Sequence, residues 1–255
     1  MMKRHLSLIT GGTSGIGFAA AKALAGTCDM ALAYGSNHER AERAREALSD
    51  CGCRVQVFAR ELASAADARL LYDEVCDAFG SSPDILVNSA GRVKDGFFLQ
   101  MDAAAIQQLL QEHLVVTMAL SQLVLKPMYG KRFGRIINLS SISSTYAKRT
   151  QVAYAAAKSG INGFTRTLAL EVAHRGITVN AVAPGLIRTP MTSGIVGYLE
   201  QASGKEISRH IPAGFIGEPE DVGPLIAFLC SGDARYITGA VIPVDGGRSL
   251  GDTGL

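Results

Sequence analysis

A glycine-laden break between an apolar run and a helix narrows the possible folds more than any other feature. Leu6 to Thr10 reads as a short buried strand, Gly11-Gly12-Thr13-Ser14-Gly15-Ile16-Gly17 follows at once, and Phe18 to Ala25 is an Ala-rich helical stretch. Strand, glycines and helix in that order form a turn in which bare backbone approaches a pyrophosphate and the helix N-terminus meets its charge. The spacing is Thr10-Gly-x-x-x-Gly-x-Gly rather than the G-x-G-x-x-G of the commonest dinucleotide binders. Gly11, Thr13, Ser14, Gly15, Ile16 and Gly17 are the candidate contacts.

The alternation continues to the C-terminus. Strands are expected at 30–34, 54–59, 84–88, 135–139, 178–183 and 240–244. Helices are expected at 38–49, 65–79, 103–125, through the stretch centred on Tyr154, and at 219–230. Repeated βαβ units dictate a parallel sheet covered by helices on both faces, so the expected class is α/β, a single doubly wound Rossmann domain over residues 1–255. A composition of 47% hydrophobic and 19% charged residues in 255 supplies the core such a domain needs. A net charge of +2 with interspersed signs argues against a nucleic-acid surface. No apolar run reaches the eighteen or so residues of a membrane span, and none reads as a signal peptide. Five cysteines without metal-ligand spacing point to reduced thiols in a cytoplasmic setting and to no metal site.

The second strand ends in Tyr34-Gly35-Ser36-Asn37-His38-Glu39-Arg40. A site that prefers NAD places an acid at this strand tip to bind the ribose hydroxyls. Here Tyr34 is followed by Ser36 and Asn37, with Arg40 beyond, groups able to donate to a 2′-phosphate, so NADP(H) is the expected cofactor. Ser36 and Asn37 are also of the types that cap a helix starting near His38. The fourth strand closes on Asn88-Ser-Ala90-Gly91, where small residues let a cofactor lie against backbone. After the sixth strand, Pro184-Gly185 leads through Thr189-Pro190 into a polar region from Met191 to His210, containing Gly194, Gly197 and Gly204, that reads as a mobile lid.

The chemistry is expected at Tyr154-Ala-Ala-Ala-Lys158. Four residues apart on a helix, the two side chains share a face, and a neighbouring ammonium favours the phenolate, drawing the tyrosine's pKa down toward neutrality. Ser141 lies just beyond the strand 135–139, at the carboxyl end where open α/β sheets bind ligands.

Thr10-Gly-Gly-Thr-Ser-Gly-Ile-Gly17, Asn88-Ser-Ala-Gly91, Ser141 with Tyr154-x-x-x-Lys158, and Pro184-Gly185 together resemble the short-chain dehydrogenase/reductases over nearly the whole chain. The resemblance implies a seven-stranded sheet, a homotetramer and a nicotinamide cofactor. Lys158 would also hold the nicotinamide ribose, Ser141 the substrate oxygen, and Ile187 and Thr189 the carboxamide edge. Arg135-Ile-Ile-Asn-Leu-Ser140, Tyr154-Ala-Ala-Ala-Lys-Ser-Gly-Ile-Asn-Gly-Phe164 and Arg175-Gly-Ile-Thr-Val-Asn-Ala-Val-Ala-Pro-Gly185 are most similar to 3-oxoacyl-[acyl-carrier-protein] reductases. In those enzymes two basic residues dock the acidic acyl carrier protein, and Arg132 and Arg175 stand at those positions. Lys126, Lys131, Arg132 and Arg135 would form a local basic cluster around them.

Three positions depart from the family pattern. His113 replaces an Asn of the proton relay and is expected either to carry the relay, with a pH-sensitive imidazole, or simply to pack. Glu61 replaces an Asp or Asn near adenine, which moves that contact toward Arg60 or Leu62. Phe215 replaces a frequent Arg, suggesting a more apolar substrate. A dehydrogenase of a free sugar, polyol or steroid alcohol, and a non-catalytic dinucleotide-binding scaffold, are the alternatives.

Overall fold

The computed structural model describes residues 4–92, 95–201 and 210–251. Seven strands, β1 (His5–Thr10), β2 (Cys28–Tyr34), β3 (Val55–Ala59), β4 (Ile85–Asn88), β5 (Gly134–Leu139), β6 (Ile177–Pro184) and β7 (Val241–Val244), form one parallel sheet in the order β3-β2-β1-β4-β5-β6-β7. Helices α1 (Gly15–Leu24), α2 (His38–Ala47), α3 (Ala65–Phe79), α4 (Ala103–Leu110), α5 (Val116–Lys131), α6 (Val152–Val172), α7 (Ser193–Gln201) and α8 (Pro219–Cys230) complete the chain. Two apolar layers sandwich the sheet. One holds Ile9, Leu32, Val87 and Ile137 against Leu24 and Ile226; the other holds Leu8, Leu86 and Ile136 against Leu71, Leu120 and Leu168. Alternate residues of each central strand face opposite layers, the reason these strands read as continuous apolar runs.

The order reverses between β1 and β4, which opens a crevice above the carboxyl ends of the strands. The residues lining that end are held in register. Thr10, Asn88 and Asn138 lie side by side across β1, β4 and β5. The Thr10 hydroxyl accepts from the amides of Ser89 and Ala90, each at 3.0 Å, and the Asn88 Nδ2 donates to Asn138 Oδ1 at 2.9 Å.

Two expected elements differ. The helix expected over 103–125 is three pieces: α4, a π-helical turn at Gln111–Val115, and α5, which runs on past Pro127 to Lys131. The expected lid loop contains a helix, α7, whose Val196 and Leu199 pack with Ile211 and Ile216 in a small apolar cluster of their own. Its glycines, Gly194 and Gly197, do not stop it, because burial of Val196 and Leu199 one turn apart outweighs about 1 kcal/mol of propensity per glycine. Gly204 lies outside the described residues. No helix among the described residues is long and apolar enough to cross a membrane.

Gly17 is where the first turn tolerates least. A Cβ there would overlap the Gly11 carbonyl oxygen, a backbone atom that cannot swing aside. Gly17→Ala is therefore expected to cost about 2 kcal/mol, lowering Tm by roughly 4–8 °C, and to weaken dinucleotide binding. Differential scanning calorimetry with a cofactor titration checks both.

Candidate active site

The crevice encloses about 940 Å³ and runs from the tip of β2 to the turn after β7. Ser14 precedes α1 in extended conformation and makes no side-chain cap, and the first turn carries no acid. The N-terminal amides of α1 therefore face the crevice without a competing carboxylate, the arrangement that receives a pyrophosphate. Gly11, Ser14, Gly15 and Ile16 line the crevice here, whereas Thr13 and Gly17 are buried beneath it.

At the adenosine end Tyr34, Ser36, Glu61 and Leu62 line the crevice together with Arg40 and Arg60. Asn37 does not. Its Oδ1 accepts from the Arg40 amide at 2.9 Å, so this side chain is spent on capping α2. Glu61 lines the crevice with its Oε1 held at 2.6 Å by Arg92, whose guanidinium also grips Glu112. Ala90, Gly91, Pro184, Gly185, Ile187 and Thr189 form the floor toward the nicotinamide end. Asn88 lies below that floor, its amide spent on Ser121 and Asn138.

Ser141, Tyr154 and Lys158 come together at the carboxyl end of β5. The Ser141 hydroxyl accepts from the Ser143 amide at 3.1 Å and stands close enough to the Tyr154 phenol to lower its pKa. Lys158 is buried, its Nζ donating to the Leu139 carbonyl at 2.6 Å and standing 5.6 Å from the centre of the Tyr154 ring. Several supports were not singled out in the sequence. Ser140 donates to Asn162 at 2.7 Å, Ser143 to Gln151 at 2.8 Å, and Gln151 to Asp95 at 2.9 Å. Their only sequence signal is position, on the same loop and helix face as the catalytic trio.

The electrostatics depart from expectation. Burial pushes the Tyr154 phenol up to about 12, the Ser141 hydroxyl offsetting it only in part, and Asp95 adds to the rise. Burial also pushes Lys158 down to about 7. The expected lowering of the phenol by the lysine is thus overturned: desolvation of both groups exceeds their attraction, and the ammonium's near-neutral pKa weakens its charge where the phenol needs it. Tyr154 carries its proton throughout the neutral range.

His113 sits in the π-helical turn, buried, its ring edge-on to Tyr154 with centroids 5.4 Å apart. Nε2 donates to the Arg92 carbonyl at 2.6 Å, which leaves Nδ1 as a buried acceptor without a partner among the described residues. Gly91 is required beside it, since a Cβ there would collide with the imidazole. Burial and the Lys158 charge hold the ring's pKa down to about 3, so the expected sensitivity near pH 6.5 is absent.

Arg132 and Arg175 lie elsewhere. They precede β5 and β6, so they stand at the amino ends of parallel strands, opposite the end where Ser141, Tyr154 and Lys158 meet. Arg132 reaches the His174 carbonyl at 3.4 Å, and Arg175 stacks on Tyr129 with its guanidinium carbon 4.0 Å from the ring centre. The expected basic cluster is smaller than its sequence, for Arg135 is buried against the carbonyls of Gly134, Gly176 and Ser231, and Lys131 pairs with Asp84 at 2.6 Å. Phe215 does not line the crevice; the apolar wall is built by Met191, Ile195 and Leu199.

A dinucleotide cradle facing a serine and a protonated tyrosine defines an oxidoreductase that moves hydride to or from a carbon bearing oxygen. The family model described as "Enoyl-(Acyl carrier protein) reductase" matches residues 11–249. The 3-oxoacyl-[acyl-carrier-protein] reductase FabG of Haemophilus influenzae is 38% identical over 98% of this chain and 100% of its own. The FabG proteins of Aquifex aeolicus and Escherichia coli are 37% and 36% identical, each over 96% of this chain and over 98% and 97% of their own. A crystal structure described as that of a candidate gluconate dehydrogenase from Agrobacterium tumefaciens superposes with a TM-score of 0.89 at 27% identity, covering 96% of both chains. The chain belongs to the short-chain dehydrogenase/reductase family.

The lysine's displaced pKa has a thermodynamic sign. Between about 7, its folded value, and the ordinary 10.5, the unfolded chain binds a proton that the folded chain lacks, so stability rises with pH across that window and the penalty is largest below 7. Lys158→Met should therefore raise Tm most near pH 6–7, with a gain that shrinks toward pH 9.5. Thermal melts of both proteins at several pH values test this; a gain independent of pH contradicts it.

Proposed function

We propose that this protein is an NADPH-dependent 3-oxoacyl-[acyl-carrier-protein] reductase, converting a 3-oxoacyl thioester to the 3-hydroxyacyl form during fatty-acid or polyketide-like chain assembly. The observation that carries this reading is the pairing of the Ser141 hydroxyl with a Tyr154 phenol that keeps its proton at neutral pH. Two hydroxyls at one point suit an oxygen that gains negative charge, and a protonated phenol is ready to donate rather than to abstract. The FabG relatives, aligned over nearly their full length, supply the substrate class.

Bound NADPH supplies the hydride, and the chain supplies everything that receives its consequence. Ser141 holds the carbonyl oxygen, Tyr154 gives it a proton from Oη, and Lys158, with a pKa of about 7, is placed to restore that proton through its Nζ while contacting the ribose. The neutral His113, edge-on to Tyr154 with an unpaired Nδ1, is the proposed acceptor for a water that feeds this relay. NADPH is the cofactor this reading prefers because Ser36, Arg40 and Arg60 line the adenosine end and would hold a 2′-phosphate, while Glu39 is paired with Arg43 and Glu61 with Arg92.

The same reading includes a homo-oligomer, proposed as a tetramer. The outer face of α6 exposes Val152, Ala156, Ser159, Gly163 and Leu170, beside exposed Val115 and Met118 at the start of α5. Small residues in a stripe let a second copy approach closely, and antiparallel packing would carry Arg132 and Arg175 of one copy toward the crevice of the other. Acyl carrier protein docking is placed there, across the subunit boundary. Five free cysteines suit a cytoplasmic setting. The alternative, a dehydrogenase of a free sugar alcohol or acid, draws on the likeness to the candidate gluconate dehydrogenase.

Oxidation of NADPH with acetoacetyl-acyl carrier protein and with free ketones, run beside reduction of NADP⁺ and of NAD⁺ with free alcohols, separates the two. Turnover of the carrier thioester alone is expected; turnover of alcohols alone overturns the proposal. Tyr154→Phe should lower that rate by about 10²–10⁴-fold while NADPH binding, followed by fluorescence, is retained.

A further inference from the structure

The charges that line the crevice do not balance. Its carboxylates are Glu61, Asp95 and Glu112. Arg92 holds Glu61 and Glu112, and Asp95 is taken by Gln151 at 2.9 Å and Lys148 at 3.8 Å. Of the four arginines on the same walls, Arg60 pairs with Glu74 and Arg92 with its two glutamates. Arg40 and Arg248 have no carboxylate partner among the described residues. They stand at opposite ends of the crevice. Arg40 follows β2 and Arg248 follows β7, five strand spacings apart, or about 24 Å across the sheet.

Arg40 is accounted for by the 2′-phosphate position. Arg248 lies beyond the nicotinamide end, where the dinucleotide has no charged group left to offer. It opens a short 3₁₀ turn, Arg248–Leu250, directly after Gly246 and Gly247, whose φ values are +62° and +85°. Asp245, the acid nearest in sequence, is spent on that turn: its carboxylate accepts from the Gly247 amide at 3.0 Å and the Ser249 amide at 2.8 Å. The turn is fastened to the chain beyond α7, since the Gly246 carbonyl accepts from the Ala213 amide at 2.9 Å. Arg248 is half-buried, and Lys148 and His210 line the same mouth. A guanidinium on the crevice wall with no carboxylate partner among the described residues is free to take an anion, and its planar fork fits the paired oxygens of a phosphate or a carboxylate.

We propose that Arg248 forms a subsite for an anionic oxygen group that the substrate carries beyond its ketone. This rests on the carbonyl-reductase reading of the crevice and adds a requirement to it: the substrate is a keto compound with a phosphate or a carboxylate at its far end. A phosphate would come from a phosphopantetheine arm, a carboxylate from a free acid.

Two matched pairs of substrates distinguish the sources: acetoacetyl-4′-phosphopantetheine against acetoacetyl-pantetheine, and acetoacetate against methyl acetoacetate, each with NADPH. In Arg248→Met the ratio of kcat/KM within one pair should fall by about tenfold or more, through KM rather than kcat, and Arg248→Lys should recover part of it. A fall in the first pair assigns the phosphate, in the second the carboxylate. Ratios unchanged in both pairs overturn the subsite. If the wild-type protein reduces none of the four, the subsite is judged by calorimetric binding of 4′-phosphopantetheine and of acetoacetate to the NADP⁺ complex; the carbonyl-reductase reading itself fails only if acetoacetyl-acyl carrier protein is not reduced either. Weaker binding of either to Arg248→Met than to wild type supports it; equal binding of both refutes it.

Discussion

Removal of water from one lysine and one tyrosine governs this site. Lys158 is enclosed between β5 and α6 with the Leu139 carbonyl as its hydrogen-bond partner, and Tyr154 lies one helical turn before it, partly buried on the wall of the crevice. Burial penalises the charged form of each, so it moves their pKa values toward opposite outcomes: the ammonium gives up its proton more readily, and the phenol holds on. The pair therefore behaves as a proton store rather than as a phenolate base. In the proposed reaction the hydroxyl and phenol would meet the substrate oxygen, and the amine behind them would exchange protons near pH 7.

That chain keeps its geometry because the carboxyl end of the sheet is fastened from several directions. Thr10, Asn88 and Asn138 tie β1, β4 and β5 together in one row, while Ser140, Asn162, Ser143 and Gln151 lock the loop after β5 onto α6. Most of these polar groups find a side-chain or backbone partner, as burial demands, the Asn88 Oδ1 being the one left without a partner among the described residues. The π-helical turn that carries His113 is part of the same construction: the extra residue per turn sets the imidazole against both Gly91 and Tyr154, and helical turns of this kind recur at functional sites.

Much of this was legible from local pattern. The glycine turn, the alternation of strands and helices, the Tyr154–Lys158 spacing and the placing of Ser141 after a strand are short-range signals, and backbone geometry turns each into position directly. What escaped depended on distant partners. Arg135 reads as one more surface cation, yet its strand is central and its guanidinium is satisfied by carbonyls from three separate segments. The region after Thr189 reads as a loop because two glycines interrupt it, and only its packing on Ile211 and Ile216 makes it helical. Asn37 looks like a ligand group by position but is consumed by a helix cap. The spacing of Tyr154 and Lys158 gave their proximity correctly, but the direction of the pKa change followed from how deeply both are buried, which periodicity does not reveal.

The most direct test of the account is the ionisation of Tyr154 itself. Protein carrying ¹³Cζ-labelled tyrosine, with the Tyr154 signal assigned by its loss in Tyr154→Phe, can be followed by NMR across alkaline pH. A Tyr154 resonance that keeps the position of the protonated phenol beyond pH 10 is the predicted result. A shift to the phenolate position with a midpoint at or below pH 8 would show that the lysine's charge outweighs burial, and would contradict a tyrosine that holds its proton until the substrate takes it.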